Sequence, residues 1–281
     1  MGRFDGILMI SDYDNTLRYT SCALDEGTPP PPVPERNIRA IRRFMAEGGS
    51  FAVATGRSLA AFHEHAETVP TNVPSIVDNG ASIYDFTRRE YLIKTALPRY
   101  AMDYIVEVLD RFPDISTEIY IPGDKILTFR PTDWMELHSR LTGAKYTVLR
   151  ELRADMVTEP IFKALFVGEH SRLEEVRAYM EAKGWNKGLE LMYTRDNLFE
   201  MTAPGADKAQ AGRRLQELCG CHALVAIGDG TNDVSMLLEA DRAFCPANAE
   251  PEVLATGVTV VCDCREGSVG DAIEHMEQEL G

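Results

Sequence analysis

The sequence predicts an α/β protein: a doubly wound, mostly parallel, Rossmann-like sheet interrupted by an inserted α+β domain. Three observations carry this. Short apolar runs at Ile7–Ile10, Phe51–Ala54 and Leu224–Ile227 read as buried parallel strands. Helical patterns alternate with such runs at both ends of the chain. Between about Ile83 and Met201 the pattern changes to β-like runs bounded by turn residues and mixed with helices. The expected division is residues 1–82 and 202–281 for the α/β core and 83–201 for the insert.

The elements follow in order. A strand over Gly6–Ile10 leads through a loop into a helix from about Glu35 to Glu47, with Ile38, Ile41, Phe44 and Met45 on one stripe and Gly48-Gly49 as its stop. The run Pro29-Pro30-Pro31-Pro32-Val33-Pro34 in that loop is either a stiff connector or a ligand for a polyproline-reading domain. A strand over Phe51–Ala54, a helix from Ser58 and a strand over Ser75–Val77 complete a βαβαβ pattern. The insert holds β-like runs at Tyr91–Thr95, Glu118–Ile121, Ile126–Arg130, Ile161–Val167 and Leu189–Tyr193. Helices lie between them near Tyr100–Phe112, Asp133–Leu141 and Ser171–Lys183. Alternation resumes with a helix near Asp207–Leu218, a strand over Ala223–Ile227 and a helix over Asp233–Glu239. Short strands at Ala243–Cys245 and Val258–Val261 and a helix from Glu266 follow.

Bulk properties narrow the function classes. With 281 residues the chain can bury a substantial core, and 44% hydrophobic with 26% charged residues fits an ordinary globular protein. A net charge of −15 argues against a general nucleic-acid binder. It leaves room for a small anionic substrate where a divalent cation dominates the local field. No stretch is apolar for the roughly 20 residues of a membrane span. The run after Asp5 is too short for a signal-peptide core, so a cytoplasmic protein is expected. Cys219-Gly220-Cys221 and Cys262-Asp263-Cys264, with Cys22 and Cys245, read either as a zinc or redox site or as reduced thiols near strand ends.

Four short segments carry the chemistry. Asp12-Tyr13-Asp14-Asn15-Thr16 follows the first strand, Thr55-Gly56-Arg57 the second, and Gly228-Asp229-Gly230-Thr231-Asn232-Asp233 the strand near residue 225; Lys208 stands alone. Ligand chemistry in doubly wound sheets sits at the carboxyl ends of strands. An aspartate can attack phosphorus and form an aspartyl-phosphate, and a second carboxyl group can exchange protons with the leaving oxygen and with water. Asp12 and Asp14, two apart, suit that division, though paired acids also cap turns. Asp229 and Asp233 in a glycine-rich turn suit a Mg²⁺ site or a helix cap. The Thr55 hydroxyl and the N–H groups of Gly56 and Arg57 suit a phosphate, while Arg57 itself is equally read as a surface arginine. Lys208 would offset phosphoryl charge and keep an aspartate ionised.

These segments, in this order, resemble the haloacid dehalogenase superfamily, and most of all its Cof-type phosphatases with a large α/β cap. Asp78-Asn79-Gly80-Ala81, Phe199-Glu200-Met201, Pro246-Ala247-Asn248-Ala249 and Glu266-Gly267-Ser268-Val269 add to the likeness. The resemblance implies Asp12 as nucleophile and Asp14 as acid/base, with Mg²⁺ held by Asp12, the Asp14 carbonyl and Asp229. It implies Thr55 and Lys208 on the phosphoryl group, with Asn232 and Asp233 supporting metal and lysine. Asn15 stands where the family usually has glycine, and asparagine tolerates left-handed backbone better than most residues.

The expected activity is Mg²⁺-dependent hydrolysis of a small phosphorylated metabolite, a sugar phosphate or nucleotide, under a cap that closes over the site. Two alternatives stay open: a phosphomutase using the same aspartyl chemistry, and a non-catalytic phosphate-binding regulator on the same fold. Substrate contacts are expected from Asn79 and, in the insert, from Arg130, Lys163, Arg195 and Glu200. The basic residues there equally suit solvated surface positions, and Glu200 equally suits a hinge.

Overall fold

The computed structural model describes residues 2–22, 27–122, 125–142 and 144–280. Its contacts divide the chain into two compact units: Met1–Arg57, Phe62–Ile93 and Asp207–Gly281, and Ser58–Ala61 with Lys94–Ala206.

The first unit is built on five parallel strands. These are β1 (Ile7–Ser11), β2 (Ser50–Val53), β12 (Ala223–Ile227), β13 (Arg242–Pro246) and β14 (Thr259–Val261), in the order β14-β13-β12-β1-β2. Strand β1 therefore lies between two neighbours, paired Ile7↔Ala223 through Ser11↔Ile227 on one side and Leu8↔Ser50 through Ser11↔Val53 on the other. Leu8, Ile10, Ala52, Leu224 and Ala226 form one buried cluster with Ala211 and Leu215 of α6 (Lys208–Cys219) and Met236 and Leu237 of α7 (Val234–Glu239). Helices α1 (Glu35–Ala46) and α9 (Ser268–Leu280) pack on each other. Glu35 in the first turn of α1 and Arg43 in its last complement the helix dipole, and Arg36 and Arg43 reach Asp271, Glu274 and Glu277 on α9. A one-turn helix, α8 (Pro251–Leu254), was not anticipated.

The strand at Ser75–Val77 (β3), expected beside the parallel strands, meets the end of β2 through a parallel Ala54↔Ile76 bridge, with the Thr55 N–H donating to the Ile76 carbonyl at 2.9 Å and the Val53 N–H to Ser75 Oγ at 3.4 Å. It also starts a three-stranded sheet with β4 (Ser82–Asp85) and β5 (Glu90–Lys94). Positive φ at Asp78, Asn79 and Gly80 reverses the chain, so β4 returns antiparallel with Val77 opposite Ser82.

The second unit has a six-stranded sheet in the order β10-β11-β9-β6-β7-β8. Its strands are β6 (Ser116–Ile121), β7 (Lys125–Phe129), β8 (Tyr146–Val148), β9 (Lys163–Val167), β10 (Glu190–Arg195) and β11 (Leu198–Thr202). All its pairs are antiparallel except β7 with β8. On one face Ile119, Ile121, Ala164, Phe166, Phe199 and Met201 join the apolar stripes of α3 (Ala101–Arg111) and α5 (His170–Ala182) in a core. The other face alternates apolar Leu165 and Leu198 with buried Glu118, Lys163 and Glu200, and Met135 of α4 (Asp133–Thr142) packs there. Helix α2 (Leu59–Ala66) completes the helices named here. Among the described residues no helix is long and apolar enough to cross a membrane.

Candidate active site

The register of β1 fixes the site. The Asp12 N–H donates to the carbonyl of Ile227 at 2.9 Å, and the Ala54 N–H to that of Ser11 at 2.8 Å. Three loops thus leave the sheet at one level, bringing Asp12, Thr55 and Gly228 to the same edge.

Past Asp12 the strand ends. The N–H groups of Leu17 and Arg18 both donate to the carbonyl of Tyr13, closing a tight turn. Asn15 sits in it at φ 53°, and its Oδ1 accepts the N–H groups of Thr20 at 3.1 Å and Ser21 at 3.0 Å. The asparagine therefore adopts the left-handed backbone and adds two bonds that glycine lacks. Asn248 donates to the Asn15 carbonyl and Ser268 to the Thr16 carbonyl, so two C-terminal segments brace the same loop. In the proline run, the carbonyls of Pro30 and Pro31 accept from Arg18.

Lys208 opens α6, with Asp207 as N-cap accepting from Gln210. A cation at a helix N-terminus opposes the dipole, yet Lys208 is 1% exposed. Two carboxylates hold it there: Nζ lies 2.7 Å from Asp12 Oδ1 and 2.6 Å from Asp233 Oδ1. The other oxygen of Asp233 accepts the N–H groups of Asp229 and Gly230 at 3.1 and 3.0 Å. Gly228 is required by this approach, since a Cβ there would stand 2.4 Å from Asp233 Cγ. Asp229 Oδ1 accepts from Thr16 at 2.7 Å.

Asp12, Asp229 and Asp233 each offer a carboxylate oxygen within 4.8 Å of the others; no other group of three or more potential metal ligands occurs among the described residues. Burial pushes the Asp12 carboxyl up to about 7, against the pull of Lys208 and helped by repulsion from Asp233 and Asp14. Burial, then Asp12 and Asp233, raise Asp229 well above the ordinary carboxylate range. Burial alone would lower the Lys208 ammonium, but the two aspartates outweigh it and raise it. Once ionised, three carboxylates against one ammonium carry an excess of negative charge, and the oxygen donors suit a hard cation. Asp14 points elsewhere: Arg57 clamps both its oxygens, Nε to Oδ2 at 2.8 Å and Nη2 to Oδ1 at 2.7 Å.

Thr55 is fully buried, and its Oγ1 accepts the Arg57 N–H at 3.1 Å. Asn79, at φ 53°, donates its N–H to the Thr55 carbonyl and accepts from Asn232 Nδ2 at 2.9 Å, tying two motif loops together. The structure thus brings Asp12, Asp14, Thr55, Gly56, Arg57, Asn79, Lys208, Asp229, Asn232 and Asp233 into one unit. Glu200, Arg130, Arg195 and Lys163 belong to the other unit. There Lys163 Nζ meets Glu200 Oε2 at 3.1 Å, and Arg130 donates to the Leu109 carbonyl and lies over the Phe129 ring. Arg195 flanks a bulge in β10.

The sequence reading missed the Thr16–Asp229 bond and the buried Glu118, which His138, partly buried, and Tyr120 meet at 2.9 and 2.5 Å. A glutamate on the otherwise β-type run Ser116–Ile121 was the available signal for the second. The six cysteines are free thiols; burial pushes Cys219 and Cys262 up to about 11 and Cys264 to about 12, which keeps them protonated.

A family model described as haloacid dehalogenase-like hydrolase matches residues 10–273. An HMP-PP phosphatase of Cronobacter sakazakii is 25% identical over 271 residues, 94% of this chain and 93% of that protein. Pyridoxal phosphate phosphatase YbhA of Escherichia coli is 23% identical, covering 92% of this chain and 98% of its own. In fold, the chain is similar to a haloacid dehalogenase-like hydrolase from Bacteroides thetaiotaomicron, with a TM-score of 0.79 at 22% identity over 97% of this chain and 99% of that one.

Proposed function

We propose, from the premise that this chain belongs to the haloacid dehalogenase-like hydrolases and is a phosphatase of that family, that it hydrolyses a small phosphorylated metabolite through an aspartyl-phosphate on Asp12. The observation that supports this most is the Lys208 ammonium bridging Asp12 and Asp233, with Asp229 within reach of both. In this reading Asp12 attacks phosphorus and Asp14 gives a proton to the departing oxygen. Asp14 then takes a proton from the water that attacks the phosphorylated Asp12, and the carboxylate of Asp12 is restored. Thr55, the Gly56 N–H and Lys208 bind the phosphoryl oxygens, while the Arg57 N–H orients the Thr55 hydroxyl.

The donor set and its surplus negative charge suit Mg²⁺, which would be held by Asp12, Asp229 and the Asp14 carbonyl. When bound it would offset the charge of the phosphoryl oxygens. Asp233, with one oxygen on Lys208 and the other on two backbone N–H groups, supports the site rather than ligating it. Residues 83–201 form the family's cap in this reading and carry the choice of substrate.

The test is phosphate release from a panel of phosphomonoesters with Mg²⁺. The panel includes a sugar phosphate, a nucleotide and the compounds for which the two relatives are named. Mg²⁺-dependent release that vanishes in Asp12→Asn is the expected result. Equal release by Asp12→Asn would overturn the mechanism.

A further inference from the structure

We propose that Arg57 is a positioning residue for the second half of the reaction: it fixes Asp14 as the proton acceptor for hydrolysis of the covalent intermediate. The inference rests on the aspartyl-phosphate reading above and assigns a task to a side chain that reading leaves unused.

The geometry is specific. Arg57 meets Asp14 through two bonds, Nε to Oδ2 at 2.8 Å and Nη2 to Oδ1 at 2.7 Å, with both side chains mostly shielded from water. A fork-to-fork pair fixes the plane of the carboxylate as well as its position. The guanidinium only donates, so both Asp14 oxygens act as acceptors in this arrangement. Each oxygen keeps a second lone pair beyond the one bonded to the guanidinium, and the adjacent cation favours the ionised carboxylate. The clamp therefore holds Asp14 ionised and oriented, able to take a proton from an attacking water on a lone pair the guanidinium does not use.

Arg57 is itself held on three sides. Its N–H donates to Thr55 Oγ1 at 3.1 Å, and its carbonyl accepts the Asp78 N–H at 2.9 Å. Its guanidinium carbon lies 5.4 Å from the centre of the Tyr13 ring. Tyr13 is fully buried, edge-on to Phe62, stacked on His65, and its hydroxyl accepts from Arg18 at 3.2 Å. The residue between the two motif aspartates thus forms a wall for the arginine that orients the second of them. A side chain fixed in this way loses little freedom when it acts.

The step it serves balances as follows. A water oxygen forms a bond to phosphorus while the bond from phosphorus to the Asp12 oxygen breaks, its electron pair returning to the Asp12 carboxylate. The water proton passes to Asp14. Without Arg57 the carboxylate loses the two bonds that fix its plane, and this step slows more than the first.

The experiment uses the full chain with Mg²⁺ and p-nitrophenyl phosphate, comparing wild type, Arg57→Ala and Arg57→Lys. Nitrophenolate and phosphate release are followed by rapid mixing, and acid-quenched protein is weighed for a covalent phosphoryl group. For Arg57→Ala we expect a nitrophenolate burst near one per enzyme, then steady turnover on the order of 10–100-fold below wild type, with phosphorylated protein as the main species. Arg57→Lys keeps the charge without the fork and should show the same trapping; it carries the test if the alanine variant does not fold. Equal slowing of both products with no phosphorylated protein would overturn the proposal, as would a lysine variant indistinguishable from wild type. Asp12→Asn separates the two readings. If it still turns over, the underlying mechanism falls; if it is silent while neither Arg57 variant traps phosphate, only this inference falls.

Discussion

Replacing Asp233 with asparagine, a change of almost no volume, should destabilise the protein whichever way the amide turns. One Asp233 oxygen faces Lys208 Nζ at 2.6 Å and the other faces the N–H groups of Asp229 and Gly230 at 3.1 and 3.0 Å. An amide has one acceptor oxygen and one NH₂. With the oxygen toward Lys208, the NH₂ meets two N–H groups; reversed, it meets an ammonium. The charge terms offset one another in part. At an effective dielectric of 20, attraction to Lys208 at its observed distance is about 6 kcal/mol, and repulsion from Asp12 or Asp229 at up to 4.8 Å is about 3–4 kcal/mol for whichever of them is ionised. Hydrogen bonding does not cancel: a lost charged bond or an unpaired buried donor costs about 1.5–3 kcal/mol. The net expectation is a loss of about 3 kcal/mol, and a melting temperature lower by about 6–12 °C. Thermal melts of wild type, Asp233→Asn and Asp233→Ala check it. The asparagine variant should be no more stable than the alanine variant. A melt within about 1 °C of wild type, or an asparagine variant clearly better than alanine, would refute the account of Asp233 as fully engaged on both oxygens.

Three other outcomes follow from the geometry. Asn15→Gly keeps the positive φ but loses the acceptor for Thr20 and Ser21, so it should cost about 1–2 kcal/mol. Asn15→Ala adds about 1–2 kcal/mol of left-handed strain, and urea midpoints ranking alanine at or above glycine would contradict this. Asp12 and Asp229 are raised chiefly by burial. Their contribution to stability is thus full below the unfolded value near 3.8 and fades as pH rises through about 7 for Asp12. Mg²⁺ pairs with the ionised forms, so the Mg²⁺-induced rise in melting temperature should be larger at high pH than at low pH; equal rises would count against the site. Finally, Lys163→Met breaks the buried pair with Glu200 and should cost about 3–5 kcal/mol, whereas Lys163→Met with Glu200→Leu should recover most of it. Additive losses in the double variant would show that the pair is not the source.

The strand ends were legible because three of the four motifs follow an apolar run, and a parallel sheet delivers such runs to one edge. Asp12, Thr55 and the Gly228 loop could be placed together on that ground alone. What they bond to was not legible. Nothing local announces that Thr16 meets Asp229, or that Lys208 lies between Asp12 and Asp233. The spacing of Asp12 and Asp14 suggests two side chains on one face of a continued strand. The chain instead turns at Tyr13, which sends Asp14 to Arg57 and leaves Asp233 as the third acid near Asp12. In the second unit the strands showed by their turns, but Glu118 and Lys163 did not read as buried. A charged residue is buried only when its partners, here His138 and Glu200, arrive from other strands and helices.

The long-range pairing of β1 also has a consequence for the order in which the protein can be made. Its β2 partner follows within the same stretch of sequence, but its other partner lies near the far end, and the Thr16–Asp229 bond closes a span of 213 residues. On a ribosome, β1 must wait with one edge unpaired until almost the whole chain has emerged, exposing the run Ile7–Ser11 meanwhile. The second unit, whose contacts lie largely within Lys94–Ala206, can collapse in that interval. Closing a loop costs free energy that grows only with the logarithm of its length, so a folded insert leaves little flexible chain to close. Catalytic competence is then the last property the nascent chain acquires. Activity measured during synthesis should rise after the compact second unit has become resistant to protease, and not before.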